Sequence, residues 1–187
     1  MRILGIDPGT NFLGWALIDT EGNKAKLVVM GIVDLAKYTD AYVKLKTILQ
    51  RVNSILEEYK PQEMSIESPF FGKNIQSMLK LGRAQGVCIA SAGVHDVPVT
   101  EYAPLRIKQA ITGSGAASKE QVADMLRRML DIKEMPEKLD ATDALAAAYC
   151  HFIQLRSPLG SPKSGRIGGP VRSWKEFAER NPNRVKK

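Results

Sequence analysis

Four acidic residues in three separated segments are of the type that binds hard cations. Asp7 occurs in GIDPGT, Glu67 in MSIESPF, and Asp140 and Asp143 in LDATDALAAAY. The first two acids each end an apolar run typical of a buried strand, and the last two are three residues apart in a predicted helix. Carboxylates gathered by one fold repel one another at neutral pH unless a cation binds them. The pattern therefore predicts a metal-dependent hydrolase.

Each acid, taken alone, also has a purely structural interpretation. An Asp before Pro-Gly often accepts hydrogen bonds from its own turn, which would explain Asp7. Asp140 and Asp143 would stabilise the positive end of a helix dipole. Glu67 closes its apolar run before Ser-Pro and has no capping role. The four acids together favour a shared site more strongly than any one of them does.

Hydrophobic periodicity predicts the elements that must position these acids. The expected strands span residues 3–7, 13–18, 26–34, 64–67 and 97–102, the first three as an antiparallel meander. The expected helices span 40–59, 75–92, 104–111, a segment beginning after Ser118, and a segment from Pro136 to about Leu155. Ser118 and Gln121 have the spacing of a capping box, and Pro136 suits a first helical turn. Strands followed by alternating helices and strands indicate an α/β domain with a mixed five-stranded sheet flanked by helices.

The net positive charge is concentrated at the C-terminal end. Residues 1–155 hold 18 basic and 18 acidic side chains, whereas residues 156–187 hold nine basic and two acidic ones. The composition there changes to Ser, Pro, Gly and basic residues, which predicts a folded domain over 1–156 and a flexible basic tail over 157–187. Such a tail favours a polyanion such as nucleic acid, or only keeps the chain soluble. A short helix over 173–180, with Trp174 and Phe177 on one face, would dock on the body or a partner; the alternative is that this segment is disordered.

Several classes of protein are disfavoured by the composition. No apolar stretch approaches the roughly 18 to 20 residues of a membrane-spanning helix, and no signal-peptide pattern precedes the first strand. Cys88 and Cys150 lie in apolar helical patterns without metal-ligand spacing, which indicates buried thiols and a reducing, cytoplasmic location. His95 and His151 also lack metal-ligand spacing, and we expect both to be non-catalytic.

Six segments together resemble the RuvC family of bacterial Holliday-junction resolvases. They occur in the family's order and approximate spacing over residues 1 to about 155: GIDPGT, IESPFFGKN, KLGRAQGV, EYAPLRIKQ, SGAASKEQV and DATDALAAAYCH. The resemblance implies an RNase H-like fold, a homodimer, and symmetric cutting of two opposed strands of a four-way DNA junction with Mg2+ or Mn2+. It also implies branch-migration proteins of the RuvA and RuvB type as partners.

The resemblance assigns roles by motif. The four acids match the family's metal-binding residues, Phe70 matches an aromatic position at the junction centre, and Lys108 and Lys119 match basic positions near the scissile DNA. Ser68 and Pro69 stand where many relatives carry Gln and a second residue, so the direction of the Phe70 ring is open. The family usually ends soon after the last helix, so the tail takes no function from the resemblance.

Phosphodiester chemistry gives the same assignment from physical argument. Hydrolysis requires a deprotonated water and relief of charge on the phosphate, and two hard cations about 3.5 to 4 Å apart supply both. Oxygen ligands select such cations. Asp7 would bridge the ions, Glu67 would hold one, and Asp140 and Asp143 the other. Lys119, at a helix start, would stabilise developing charge, although an ordinary solvated lysine is an equally good interpretation.

Further DNA contacts are predicted after the second acid. Phe70 and Phe71 cannot both face inward in an extended segment, so one ring would be free to stack on a base near the crossover. The alternative is that both rings pack beneath the loop. Lys73, Lys80 and Arg83 would form a basic stripe on the following helix, or simply a solvated face.

Two other functions remain open from the sequence. GIDPGT resembles the phosphate loop of sugar-kinase and actin-type ATPases, although the chain is short for their two lobes. A catalytically silent junction-binding module would share the fold without needing the acids. For a resolvase, a C2 dimer would match the two-fold symmetry of the cut strands, and the small-residue helix over 75–92 is the predicted interface.

Overall fold

A mixed sheet with helices on both faces carries the predicted site. The computed structural model describes residues 1–69, 74–136 and 139–156. The strands are Arg2–Asp7 (β1), Phe12–Glu21 (β2), Lys24–Asp34 (β3), Glu63–Glu67 (β4) and Val99–Tyr102 (β5). The helices are Ala41–Tyr59 (α1), Ile75–Val94 (α2), Pro104–Thr112 (α3), Lys119–Met129 (α4) and Asp140–Leu155 (α5).

The sheet has the order β3-β2-β1-β4-β5. The pairs β1–β2 and β2–β3 are antiparallel, whereas β1–β4 and β4–β5 are parallel. The antiparallel meander and the α/β class predicted from the sequence are therefore confirmed. Because parallel strands end at the same edge of a sheet, the carboxyl ends of β1 and β4 lie side by side.

Alternating residues of β1 face two separate cores, as the period of a strand requires. Ile3 packs in a core beneath α3, α4 and α5, and Leu4 and Ile6 pack in a core beneath α1 and α2. All three are fully buried. The central strand is thus covered on both faces, which holds its last residue in a defined position.

Helix α5 lies almost in backbone contact with the sheet. A Cβ atom added to Gly5 would lie 2.0 Å from the carbonyl oxygen of Ala144, and one added to Gly14 would lie 2.0 Å from that of Asp140. Only glycine fits at such an approach. The two glycines therefore set how close the start of α5 comes to β1 and β2.

The start of α5 differs from the sequence prediction. The helix begins at Asp140, with Leu139 as its N-cap, so Pro136 lies in the preceding connection and outside the first turn. The position of Asp140 is determined by its close approach to Gly14, a long-range contact that local helix signals do not contain. Elsewhere the predicted elements agree within a few residues, and the capping box of Ser118 and Gln121 is confirmed.

Some predictions concern residues outside the described ones. These are Phe70, Phe71, Lys73, the tail over 157–187 and its predicted helix over 173–180. Within the described residues, both cysteines are buried free thiols, as expected. The helices described here include none that is both long and apolar enough to cross a bilayer.

Replacing Gly5 by Ala should reduce the free energy of unfolding by about 2–4 kcal/mol, because the new methyl group would collide with the backbone of α5. Urea denaturation measures the effect. Gln50→Ala, at an exposed position of α1, is the control, and its stability should stay within about 1 kcal/mol of wild type. Equal stability of the two variants would contradict the close approach.

Candidate active site

Three elements bring the four acids to one edge of the sheet. Asp7 is the last residue of β1 and Glu67 is the last residue of β4. The register pairs Ile6 with Ile66, so the following acids are neighbours on parallel strands. Asp140 begins α5 and lies beside Gly14 of β2. Gly14 is the register partner of Asp7 on β1. The predicted convergence of separated acids thus occurs at the carboxyl ends of β1 and β4.

The two acids of α5 lie in its first turn. Residues three apart share a helix face, and the partial positive charge of the helix N-terminus favours carboxylates there. The side chain of Asp143 is only 14% exposed. Asp140 and Asp143 therefore lie where they would stabilise the helix dipole, as the structural interpretation expects. The same location is compatible with a role in the site, because the charges of both acids act on Asp7.

Burial and mutual repulsion change the proton affinity of this cluster. Burial, then the charges of Glu67 and Asp143, raise the pKa of Asp7 to about 8. Burial, followed by the charge of Asp143, raises the pKa of Glu67 to about 7. Burial also raises the pKa of Asp143, against the opposing effect of Lys119. Without a cation, the cluster retains protons near neutral pH.

Lys119 is a basic residue in direct contact with one of the acids. It is the first residue of α4, between Ser118 and Gln121 of the capping box, and its amino group forms an ion pair with Asp143. Burial disfavours its charge, but the hydrogen bond to Asp143 and the charges of nearby acids raise its pKa. Lys119 also lowers the pKa of Asp7 and Glu67. It partly compensates the negative charge of the site.

Lys108 lies in α3, half-buried, and its charge lowers the pKa of Glu67 and Asp143. The structure thus brings both lysines predicted at the scissile DNA close to the acids. Lys80 and Arg83 are exposed on α2, and their contact with DNA stays a prediction. Phe70 and Lys73 were also predicted to contact DNA, and both lie outside the described residues.

Two features of the site were not predicted. Lys44 of α1 donates hydrogen bonds to the carbonyl of Thr10 (2.8 Å) and to Oδ1 of Asn11 (3.2 Å), and so holds the loop that follows Asp7. A contact between residues 34 apart has no local sequence signal. Gly14 had a usable signal, because glycine inside a strand often marks a close backbone approach.

The chemistry of these side chains fits a divalent cation. In residues 1–69, 74–136 and 139–156, no three His, Cys, Asp or Glu side chains are already arranged as ligands of one ion. The cluster nevertheless offers carboxylate oxygens, the donors that hard cations prefer. After burial, the charges of neighbouring acids raise the pKa of Asp7 and Glu67, and Lys119 pairs with Asp143, so a cation placed among these acids would offset their repulsion.

Comparison with known proteins gives a consistent result. The family model described as "Crossover junction endodeoxyribonuclease RuvC" matches residues 3–151. Crossover junction endodeoxyribonuclease RuvC of Bacteroides fragilis is 56% identical over 186 residues, covering 98% of this chain and 95% of the relative. The corresponding protein of Porphyromonas gingivalis is 53% identical, covering 98% and 96%.

Solved structures agree with the sequence comparison. Thermus thermophilus RuvC is 35% identical, with a TM-score of 0.76, covering 83% of this chain and 96% of that one. T. thermophilus RuvC in complex with a Holliday junction substrate is 33% identical, with a TM-score of 0.75 and the same coverage. The predicted RNase H-like fold is confirmed by this match. The convergence of the acids, the family match and the shared fold show that this chain belongs to the RuvC family of crossover junction endodeoxyribonucleases.

Proposed function

We propose that this chain resolves four-way DNA junctions by cutting two opposed strands symmetrically, with Asp7, Glu67, Asp140 and Asp143 as its catalytic acids. The main support is the convergence of these acids at one sheet edge, where their charges act on one another's pKa. A solved structure of T. thermophilus RuvC is a complex with a Holliday junction substrate, which supports the same substrate here. The reaction is the hydrolysis of a phosphodiester during recombination and repair.

The four acids would hold Mg2+, with two ions in each site and Mn2+ as a substitute. When bound, such ions supply a deprotonated water and neutralise charge on the phosphate. Asp7 would be shared between the ions, an assignment supported by its position at the end of the central strand, between Glu67 and α5. Lys119, which pairs with Asp143, would stabilise charge on the phosphate as it develops.

The outer face of α2 supports a homodimer. Six exposed residues on this face are apolar or small and recur at spacings of three and four: Ile75, Leu79, Gly82, Gly86, Ala90 and Gly93. Each glycine in a helix costs about 1 kcal/mol relative to Ala, and no described atom lies within 4 Å of a Cβ at any of the three. A second copy of α2 crossing close to this stripe would account for their small size. A C2 dimer would place two sites on the two strands to be cut.

The remaining assignments extend the same proposal. Residues 1–156 would be the catalytic domain and residues 157–187 a basic tail. Lys108 and Lys119 would contact DNA near the cut, and Lys80, Arg83, Lys73 and Phe70 would contact it farther from the acids. Branch-migration proteins of the RuvA and RuvB type would be partners, in the cytoplasm of a bacterium. The ATPase alternative has lost its support because the family match covers residues 3–151.

Asp7→Asn should abolish cutting of a labelled synthetic four-way junction, with a loss of at least about a hundredfold, because it removes a cation ligand. Wild type should give symmetric nicks in the junction with Mg2+, none with EDTA, and none in a matched linear duplex. Asp96→Asn, an exposed substitution between α2 and β5, is the control and should cut normally. Tight junction binding by wild type without cutting would favour the silent binding module instead.

The metal-free protein should lose stability as pH rises from about 4 to about 8. The pKa of Asp7 is near 3.8 when unfolded and about 8 when folded, so the folded state holds a proton over this interval that the unfolded state lacks. Asp7→Asn removes the part of this pH dependence that comes from Asp7 and leaves the part that comes from Glu67. The variant should be more stable than wild type at about pH 9 by roughly 1–3 kcal/mol. Urea denaturation in EDTA measures both proteins. Mg2+ should stabilise wild type and not the variant, and an equal Mg2+ effect on both would contradict the assigned ligand.

Gly86→Leu should convert the proposed dimer into a monomer that is still folded. Leu is more favourable than Gly in an isolated helix by up to about 1 kcal/mol, so the monomer should stay folded. In the proposed dimer, however, its side chain would add bulk to the stripe. Light scattering after size-exclusion chromatography reports the mass. Gln76→Leu, which adds the same side chain to α2 outside the stripe, should remain a dimer. A dimeric Gly86→Leu would show that the interface lies elsewhere.

A further inference from the structure

A buried polar pair, distinct from the four acids, connects the sheet to α5. The hydroxyl of Tyr102, at the end of β5, lies 2.8 Å from Nδ1 of His151 on α5. Tyr102 is 3% exposed and His151 is 1% exposed. Both lie among apolar side chains of the core beneath α5. Polar groups are costly to bury unless they bind each other, so this pair is a specific contact between two elements.

The imidazole of His151 is neutral and lies close to two strands of the sheet. Burial lowers the pKa of His151 to about 4, so the ring is uncharged at pH 7. The hydroxyl of Tyr102 and Nδ1 share one hydrogen bond, whose direction depends on the tautomer of the ring. The other ring nitrogen, Nε2, lies 3.7 Å from a carboxylate oxygen of Glu63, at the start of β4. The ring therefore lies between β5 and β4, and its hydrogen bond to Tyr102 holds it on the β5 side.

Elsewhere, α5 contacts the central strands mainly through alanine side chains and backbone atoms. Ala144, Ala147 and Ala148 are fully buried, and a Cβ at Gly5 would meet the backbone at Ala144 and Ala148. Methyl groups against a glycine allow close approach, but they offer little directional resistance to a small shift of the helix along its axis. The hydrogen bond between Tyr102 and His151 depends on distance and angle, and so resists such a shift.

Tyr102 also contacts the strand that carries Glu67. The two residues are direct register partners of β5 and β4, and the backbone N–H of Ser68 donates to the carbonyl of Tyr102 at 2.9 Å. Through its backbone Tyr102 holds the end of β4, and through its side chain it holds α5. It thereby links Glu67 to the helix that carries Asp140 and Asp143.

We infer that Tyr102 and His151 are positioning residues that set the place of α5 along the sheet, and with it the spacing of the four acids for cation binding. This inference rests on the proposed function. Cation ligands tolerate only small displacements, and groups that orient ligands from outside the site affect metal affinity. A shift of α5 would move Asp140 and Asp143 together relative to Asp7 and Glu67.

Tyr102→Phe tests the inference because it removes only the hydroxyl. We expect the Mg2+ concentration for half-maximal junction cutting to rise about three- to tenfold, the effect of losing one hydrogen bond. We also expect a smaller Mg2+-induced rise in Tm, measured without DNA. Tyr149→Phe is the matched control: it removes a hydroxyl from α5 on the side that packs against Phe152, and both readouts should equal those of wild type.

His151 provides a second test if Tyr102→Phe folds poorly. Asn at this position places an amide group, which can accept or donate, near the location of Nδ1 and should keep a Mg2+ response close to wild type. Ala removes the hydrogen-bonding group and should behave as Tyr102→Phe does. Recovery with Asn and not with Ala would support positioning by the hydrogen bond, because a merely space-filling role would not distinguish the two in this way.

Two outcomes would overturn the inference. One is a wild-type Mg2+ response in both readouts for Tyr102→Phe. The other is a lower Tm in EDTA with an unchanged Mg2+ response, which would make the pair structural only. Failure of wild type to cut junctions would instead contradict the proposed function. The Mg2+-induced change in Tm would then still decide whether the pair positions the acids.

Discussion

The near-contact between α5 and the two central strands is the constraint on which the rest of the structure depends. Gly5 and Gly14 allow the helix backbone to lie directly against β1 and β2. Without that approach, the first turn of α5 would stand away from the end of β1, and Asp140 and Asp143 would not share an environment with Asp7. The alanine face of α5 and the two glycines therefore serve the site as well as the core.

Bringing the acids together opposes folding. Burial and mutual repulsion raise the pKa of Asp7 and Glu67 into the neutral range, so ionising the cluster disfavours the folded state. Lys119 offsets part of this charge through its ion pair with Asp143. Two apolar cores, one on each face of the sheet, stabilise the fold and offset the unfavourable free energy of the cluster. The same unfavourable electrostatics make the site attractive to a divalent cation.

Much of the fold and of the site could be predicted from the sequence. The strand ending at Asp7, the strand ending at Glu67 and the amphipathic helices carry local periodicity, and the capping box at Ser118 is a local motif. The start of α5 could not be placed, because Asp140 occupies the position that Gly14 allows. The hydrogen bond between Tyr102 and His151 could not be predicted either, since 49 residues separate the two in the chain.

The sequence by itself determined which residue types were available and which of them repeat with the period of a strand or a helix. It therefore identified the acids, the lysines and the element that carries each, because these follow from neighbours in the chain. Only the tertiary structure decided that Lys119 pairs with Asp143, that the small-residue stripe of α2 faces outward, and that burial shifts the proton affinity of Asp7. The physical reason is that distance, exposure and repulsion depend on how separated segments pack, which local patterns do not encode.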